Sequence, residues 1–165
     1  MHHATDKSWL EAECVKADSF AELVPLALAE LKKFPTGAET VCGPISTGGR
    51  GSIEENFRVF GATITALTEQ GRPIFSQVPY EERIFFFRKR WQDEGPSRAG
   101  AYYMPILEEF YHPLLTSGLI RRAWFIPGWE SSYGARWERD ELTKAGAEIV
   151  DLTDEQVDEF LSSER

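Results

Sequence analysis

Two short stretches hold the residue types from which chemistry is made. In the first, Gly43-Pro44-Ile45-Ser46-Thr47-Gly48-Gly49-Arg50-Gly51-Ser52, glycines let backbone N–H groups turn inward beside the hydroxyls of Ser46 and Thr47 and the guanidinium of Arg50. Such a set, leading into a helix N-terminus, suits an oxyanion such as phosphate. The plain alternative is a mobile turn that holds nothing. The loop lacks both the Gly-Lys-Ser/Thr ending of a triphosphate-binding loop and the glycine spacing of a dinucleotide fold, so neither is indicated.

The second stretch is Trp129-Glu130-Ser131-Ser132-Tyr133-Gly134-Ala135-Arg136-Trp137-Glu138. From Ser131 or Ser132 a helix is predicted through Lys144-Ala145, ended by Gly146. On it Ala135, Glu138, Leu142 and Ala145 share one face, while Arg136, Arg139, Asp140, Glu141 and Lys144 mostly point elsewhere. Glu138 therefore falls on the apolar stripe, where a carboxylate costs desolvation unless it has partners or a task. Either it anchors a neighbouring Arg or backbone amide, or it acts on a ligand.

The elements that must position these stretches alternate along the chain. Phe20, Leu23, Val24, Ala27, Leu28, Leu31 and Phe34 repeat at helical spacing, with Ser19 and Glu22 as a capping box, and Pro25 suggests a regular start within the run. Glu39-Thr40-Val41-Cys42 reads as a strand. Ser52 and Glu55 cap a long helix carrying Ile53, Phe57, Phe60, Ile64 and Leu67. Pro73 to Pro79 reads as a second strand, Pro105 to Tyr111 as a helix, Leu119 to Ile126 as a third strand and Ala147 to Leu152 as a fourth. Thr153 and Gln156 cap a terminal helix with Val157, Phe160 and Leu161. This order predicts an α/β, flavodoxin-like three-layer domain with a parallel sheet of about four to five strands. Residues 38–152 form the core, 1–37 a helical addition and 153–165 the closing helix. In such a sheet ligands bind beyond the carboxyl ends of the strands, where both stretches lie.

Both stretches, in this order on strand-loop-helix units, resemble the nucleoside 2-deoxyribosyltransferase-like superfamily. The loop Cys42 to Arg50 is most similar to that of the 2′-deoxynucleoside 5′-phosphate N-hydrolases. The string Gly128-Trp129-x-x-Ser132-x-Gly134-Ala135-x-x-Glu138 is similar to an uncharacterised bacterial and phage branch. The likeness spans roughly Thr40 to Leu152. It implies that Glu138 is the nucleophile at the anomeric carbon and that Ser132 touches a 5′-phosphate. Gly43, Ile45, Ser46, Gly48, Gly49, Arg50 and Gly134 would line the sugar and phosphate. Where those families use an assisting Asp, this chain offers Glu108 or Glu109, and Thr40 stands where the hydrolases have a Tyr. The implied partner is a small nucleotide or nucleoside and the implied assembly a homodimer or larger oligomer.

The chain's 165 residues are enough for one domain, burying roughly 70% of its unfolded surface. Its 27 acidic against 18 basic residues give a net charge of −9, which disfavours nucleic acid and anionic membranes as partners. The same balance argues against reading Phe85-Phe86-Phe87-Arg88-Lys89-Arg90-Trp91 as a strand-stacking surface. Core packing, a lid or a dimer contact is the preferred role for that segment, with Tyr102-Tyr103 in the same wall. Cys14 and Cys42 have neither CxxC nor metal-knuckle spacing, and His112, between Tyr111 and Pro113, has no second ligand nearby, so no metal and no cofactor are expected. No apolar run approaches a membrane span, and a cytoplasmic location is expected.

Overall fold

A computed structural model of the chain describes residues 7–45, 48–98 and 100–164. The order is α1 (Lys7–Lys16), α2 (Phe20–Leu31), β1 (Ala38–Cys42), α3 (Ile53–Glu69), α4 (Val78–Glu94), a π-helical run (Ile106–Tyr111) continuing as α5 (His112–Leu115), β2 (Ile120–Phe125), α6 (Tyr133–Lys144), β3 (Glu148–Asp151) and α7 (Asp154–Ser162). The three strands form a parallel sheet in the order β1-β2-β3, with Thr40 opposite Ala123 and Ala123 opposite Ile149.

The expected strand from Pro73 to Pro79 is reduced to one bridge, Ile74 to Glu39, on the free edge of β1. Glu39 N–H donates to Pro73 O (2.9 Å) and Phe75 N–H donates to Glu39 O (2.8 Å). Further along, backbone pairing gives way to a side chain: Gln77 Nε2 donates to Val41 O and to Thr40 Oγ1, both at 3.0 Å. With that edge satisfied, the chain turns at Pro79 directly into α4.

Side chains alternate across the sheet and meet a helical layer on each side. Ala38, Cys42, Ala123 and Phe125 pack with α1, α2, α4 and α5. Val41, Ile74, Ile126 and Leu152 pack with α3 and α7. Pro25 stays inside α2, and its position explains why: the carbonyl it cannot pair belongs to Ala21, which is exposed to water along with Pro25. Ser19 makes no side-chain cap bond, and Glu22 instead accepts from Asp18 N–H at 2.6 Å. The Ser52 cap, accepting from Glu55 N–H at 3.1 Å, and the complete Thr153/Gln156 capping box form as their spacing predicts.

Glu39 is wholly buried in β1 yet charged. Trp124 Nε1 donates to it at 2.8 Å, and Arg121, Arg122 and Arg72 approach at 2.9, 3.0 and 3.5 Å. Burial pushes its carboxyl up, but these donors and cations outweigh burial and leave it below the usual range. The network braces the sheet edge remote from the two loops.

Candidate functional site

The loops following β1 and β2 lie side by side because their strands are neighbours. Between them and α4 is a cavity of about 240 Å³. Of the residues singled out by sequence, Gly43, Ile45, Ser132, Gly134 and Glu138 line it. Ser46 lies outside the described residues. Gly48, Gly49 and Arg50 do not line it: Gly49 and Arg50 face a separate hollow with Asn56, Gly128 and Asp154. Glu108 and Glu109 are exposed and also absent from the cavity wall. The π-helical run, in which His112 N–H donates to Leu107 O, turns Leu107 and Tyr111 inward and leaves the two glutamates outside.

Local geometry explains the fit of the lining residues. Ser132 is the N-cap of α6 and accepts from Ala135 N–H at 3.3 Å, fixing the first turn from which Glu138 projects. Gly134 lets Tyr102 approach closely, since a Cβ there would lie 2.5 Å from the phenol oxygen and the ring would have to move aside. At Gly43 a Cβ would lie 2.8 Å from Ile126 Cβ.

Glu138 retains some accessible surface, and it lines the cavity. Burial pushes its carboxyl up to about 7, opposed by a hydrogen bond from the Cys42 thiol. Burial and the Glu138 charge in turn hold Cys42 well above its ordinary range, so the thiol donates as S–H. Among the described residues no Arg or Lys pairs with Glu138. Arg139 forks onto Asp151 at 2.7 and 3.0 Å, and Arg136 donates to Glu130 O at 2.6 Å. The reading of Glu138 as an anchor for a neighbouring arginine is therefore not supported.

Four further lining groups were not among the site residues expected from sequence, although Arg88 and Tyr102 belong to the aromatic segment and wall singled out there. Glu81 enters from the first turn of α4, and burial pushes its carboxyl up as well. Tyr111 lies near both carboxyls, its phenol pushed up by burial and then by its acidic neighbours, Glu138 foremost. Tyr102, pushed up to about 12, is raised by burial and Glu138 and drawn down by Arg88. Arg88 lines the same wall as Glu81, seven residues on. The 4,3,4 spacing of Tyr80, Ile84, Phe87 and Trp91 gives away the buried face of α4, but not that Glu81 and Arg88 beside it line a cavity. The adjacent Phe85 and Phe86, both exposed, obscured that stripe. Phe85 joins the cavity rim with Phe57, ring centroids 6.0 Å apart.

The glycine loop is tied to the protein. Asn56, buried in α3, accepts from Arg50 N–H at 2.9 Å and donates to Ile45 O and Gly48 O at 3.0 and 3.1 Å. Gly49 N–H donates to Ser131 Oγ at 2.8 Å, which links the two loops directly. Arg50 reaches Asp158 at 3.1 Å. At these described positions the amides and the guanidinium serve the fold, not an open oxyanion cradle. His112 is surface-facing, 3.3 Å from Glu141.

Among the described residues no cluster of His, Cys, Asp or Glu has the geometry of a metal centre, and no helix is long and apolar enough to cross a membrane. Compared with known proteins, the chain matches no family model, no curated protein and no solved structure.

Proposed function

We propose that the cavity cleaves the N-glycosidic bond of a nucleoside 5′-monophosphate or related nucleotide, with Glu138 as the nucleophile. The observation that carries this reading is a carboxyl on the cavity wall, raised to about 7 by burial and paired with no described cation. Such a group costs stability, as groups held for chemistry do. The fold is read as flavodoxin-like: with the Ile74 segment counted as the second strand, the sheet order is 2-1-3-4. The order reverses between β1 and β2, the crevice where such sheets bind ligands.

The reaction follows from the residues present. A Glu138 carboxylate oxygen attacks the anomeric carbon as the carbon–nitrogen bond breaks, and its charge stabilises the oxocarbenium-like state between. The bond's electron pair goes to the base nitrogen, which takes the proton of Glu81. Water then attacks the anomeric carbon of the glycosyl ester, Glu81 recovers a proton from it, and Glu138 leaves as carboxylate. If another base replaces water, the outcome is transfer. Glu81 takes the assisting role that sequence reading gave to Glu108 or Glu109. Its burial keeps a proton available at higher pH than an exposed glutamate would. In this reading the protein works in the cytoplasm as a homodimer on a diffusible small molecule.

Incubation with a panel of ribo- and deoxyribonucleotides, followed by chromatography for free base, tests the proposal. Base release that falls on the order of 10²–10⁴-fold in Glu81→Gln and vanishes in Glu138→Gln is expected. Undiminished release from Glu138→Gln would sink it. A nucleotide-binding domain without turnover is the second reading, favoured by the exposure of Glu108 and Glu109. A raised melting temperature with no base released would establish it.

A further inference from the structure

Arg88 stands apart from the other arginines of the described chain. Arg50, Arg58, Arg72, Arg83, Arg90, Arg121, Arg122 and Arg139 each pair with a carboxylate. Arg98 and Arg136 donate to the carbonyls of Trp91 and Glu130. Arg88 makes no ion pair or hydrogen bond with a described residue, although it is half-buried in a chain with 27 acidic side chains. An unpaired guanidinium in a partly desolvated cavity is a standing cost that an anionic ligand would relieve.

Its placement fits one end of an elongated ligand. Glu81 and Arg88 share the α4 face that lines the cavity, with Ile84 and Phe85 between them. Seven residues of helix separate their backbones by about 10 Å along the axis. Tyr102, on the same cavity wall, is near enough to feel both the Glu138 and the Arg88 charge.

We propose that Arg88 is the anion-binding residue of this cavity and holds the phosphate of the substrate while the sugar reaches Glu138. This rests on the nucleotide reading above and relocates the phosphate from the glycine loop to α4. The planar guanidinium donates two parallel N–H bonds to a phosphate monoester, and the low dielectric of the apolar walls strengthens them. The pocket accordingly prefers a nucleotide to its nucleoside.

The test is calorimetric affinity for a deoxyribonucleoside monophosphate, the matching nucleoside and inorganic phosphate. It uses the intact chain, Arg88→Gln, Arg88→Lys, Arg50→Gln for the glycine loop and, as a control on the outer side of α4, the exposed Lys89→Gln. The intact protein and Lys89→Gln should bind the monophosphate on the order of 10–100-fold more tightly than the nucleoside. Arg88→Gln should lose that preference, and Arg88→Lys should retain only part of it. Should Arg88→Gln fail to fold, the partial loss in Arg88→Lys decides the matter. A preference that survives both Arg88 variants, or is lost in Arg50→Gln instead, overturns the assignment. So does an intact protein that binds nucleotide and nucleoside equally, or neither. Absence of base release, with an Arg88-dependent preference intact, would defeat the hydrolytic reading and leave the anion site standing.

Discussion

Replacing Glu138 with Gln removes a charge while keeping the side chain's shape and an acceptor for the Cys42 thiol. A carboxyl that titrates near 4.5 in the unfolded chain and at about 7 in the folded protein favours folding most when neutral. Its contribution is fully present below pH 4.5 and is lost as pH rises through 7, a loss of about 3 kcal/mol. The Gln variant has no such loss. Unfolding by urea from pH 4.5 to 8.5 should therefore find the two proteins most alike at the acid end. By pH 8.5 the variant should be more stable by about 3 kcal/mol, which corresponds to about 6–12 °C in Tm for a chain of this size. Other titrating groups are common to both proteins and largely cancel. A stability difference that does not change with pH, or a variant less stable throughout, would refute the reasoning. Glu138 would then be a glutamate satisfying buried partners.

Four further outcomes are expected. Gly134→Ala drives a methyl against the Tyr102 oxygen, so the ring must swing aside; stability in chemical denaturation should change by no more than about 1 kcal/mol while nucleotide binding weakens in titration, because Tyr102 lines the cavity. Glu39→Ala strands Trp124 Nε1 and three arginines and should cost about 3 kcal/mol at pH 7. Because its folded pKa is depressed, that contribution is present above the ordinary carboxyl range and disappears as pH falls through the folded value, so the penalty should shrink in acid melts. Asn56→Ala removes three bonds to the glycine loop, and hydrogen exchange at the Arg50 amide should accelerate while cavity binding persists. Sedimentation at micromolar concentration should show a dimer, with Phe85 and Phe86, at 42% and 47% exposure, as the apolar contact to mutate; a monomer would contradict it.

What could be read from the sequence was local. Ser52, Ser132 and Thr153 announce helix starts because capping is decided within four residues. Glu138 was legible because Ala135 and Leu142, both buried in α6, bracket it at 3,4 spacing and the odd member shows, whereas Ala145, expected on the same face, is exposed at the helix end. Glu81 and Arg88 were hidden because their face of α4 becomes a wall only when β1, α6 and the π-helical run close around it, contacts between distant parts of the chain. The glycine loop shows the opposite difficulty. Its composition advertises ligand binding, but Asn56, not expected to play any part, and Ser131, expected only as a helix start, take the amides that a phosphate would need. The segment from Pro73 to Pro79 has strand-like residues throughout; only the capture of β1's edge by the Gln77 side chain decides that it pairs once and stops.

The π-helical run sets the phase of the far wall by counting. Its i to i−5 bonds absorb one more residue than an α-helix would, just ahead of Pro113, whose ring would collide with the carbonyl four residues back in a regular helix. Deleting a single solvent-facing position such as Glu108 would take up that extra residue and let the segment close into ordinary helix without turning its flanks against each other. Leu107 and Tyr111 would stand three residues apart in place of four, still on one face, but the carbonyl four residues before Pro113 would return to the collision that the wide turn avoids. The chain length between Pro105 and Pro113 thus specifies how a proline is carried inside the wall, and an outward residue that touches no cavity group is part of that arrangement.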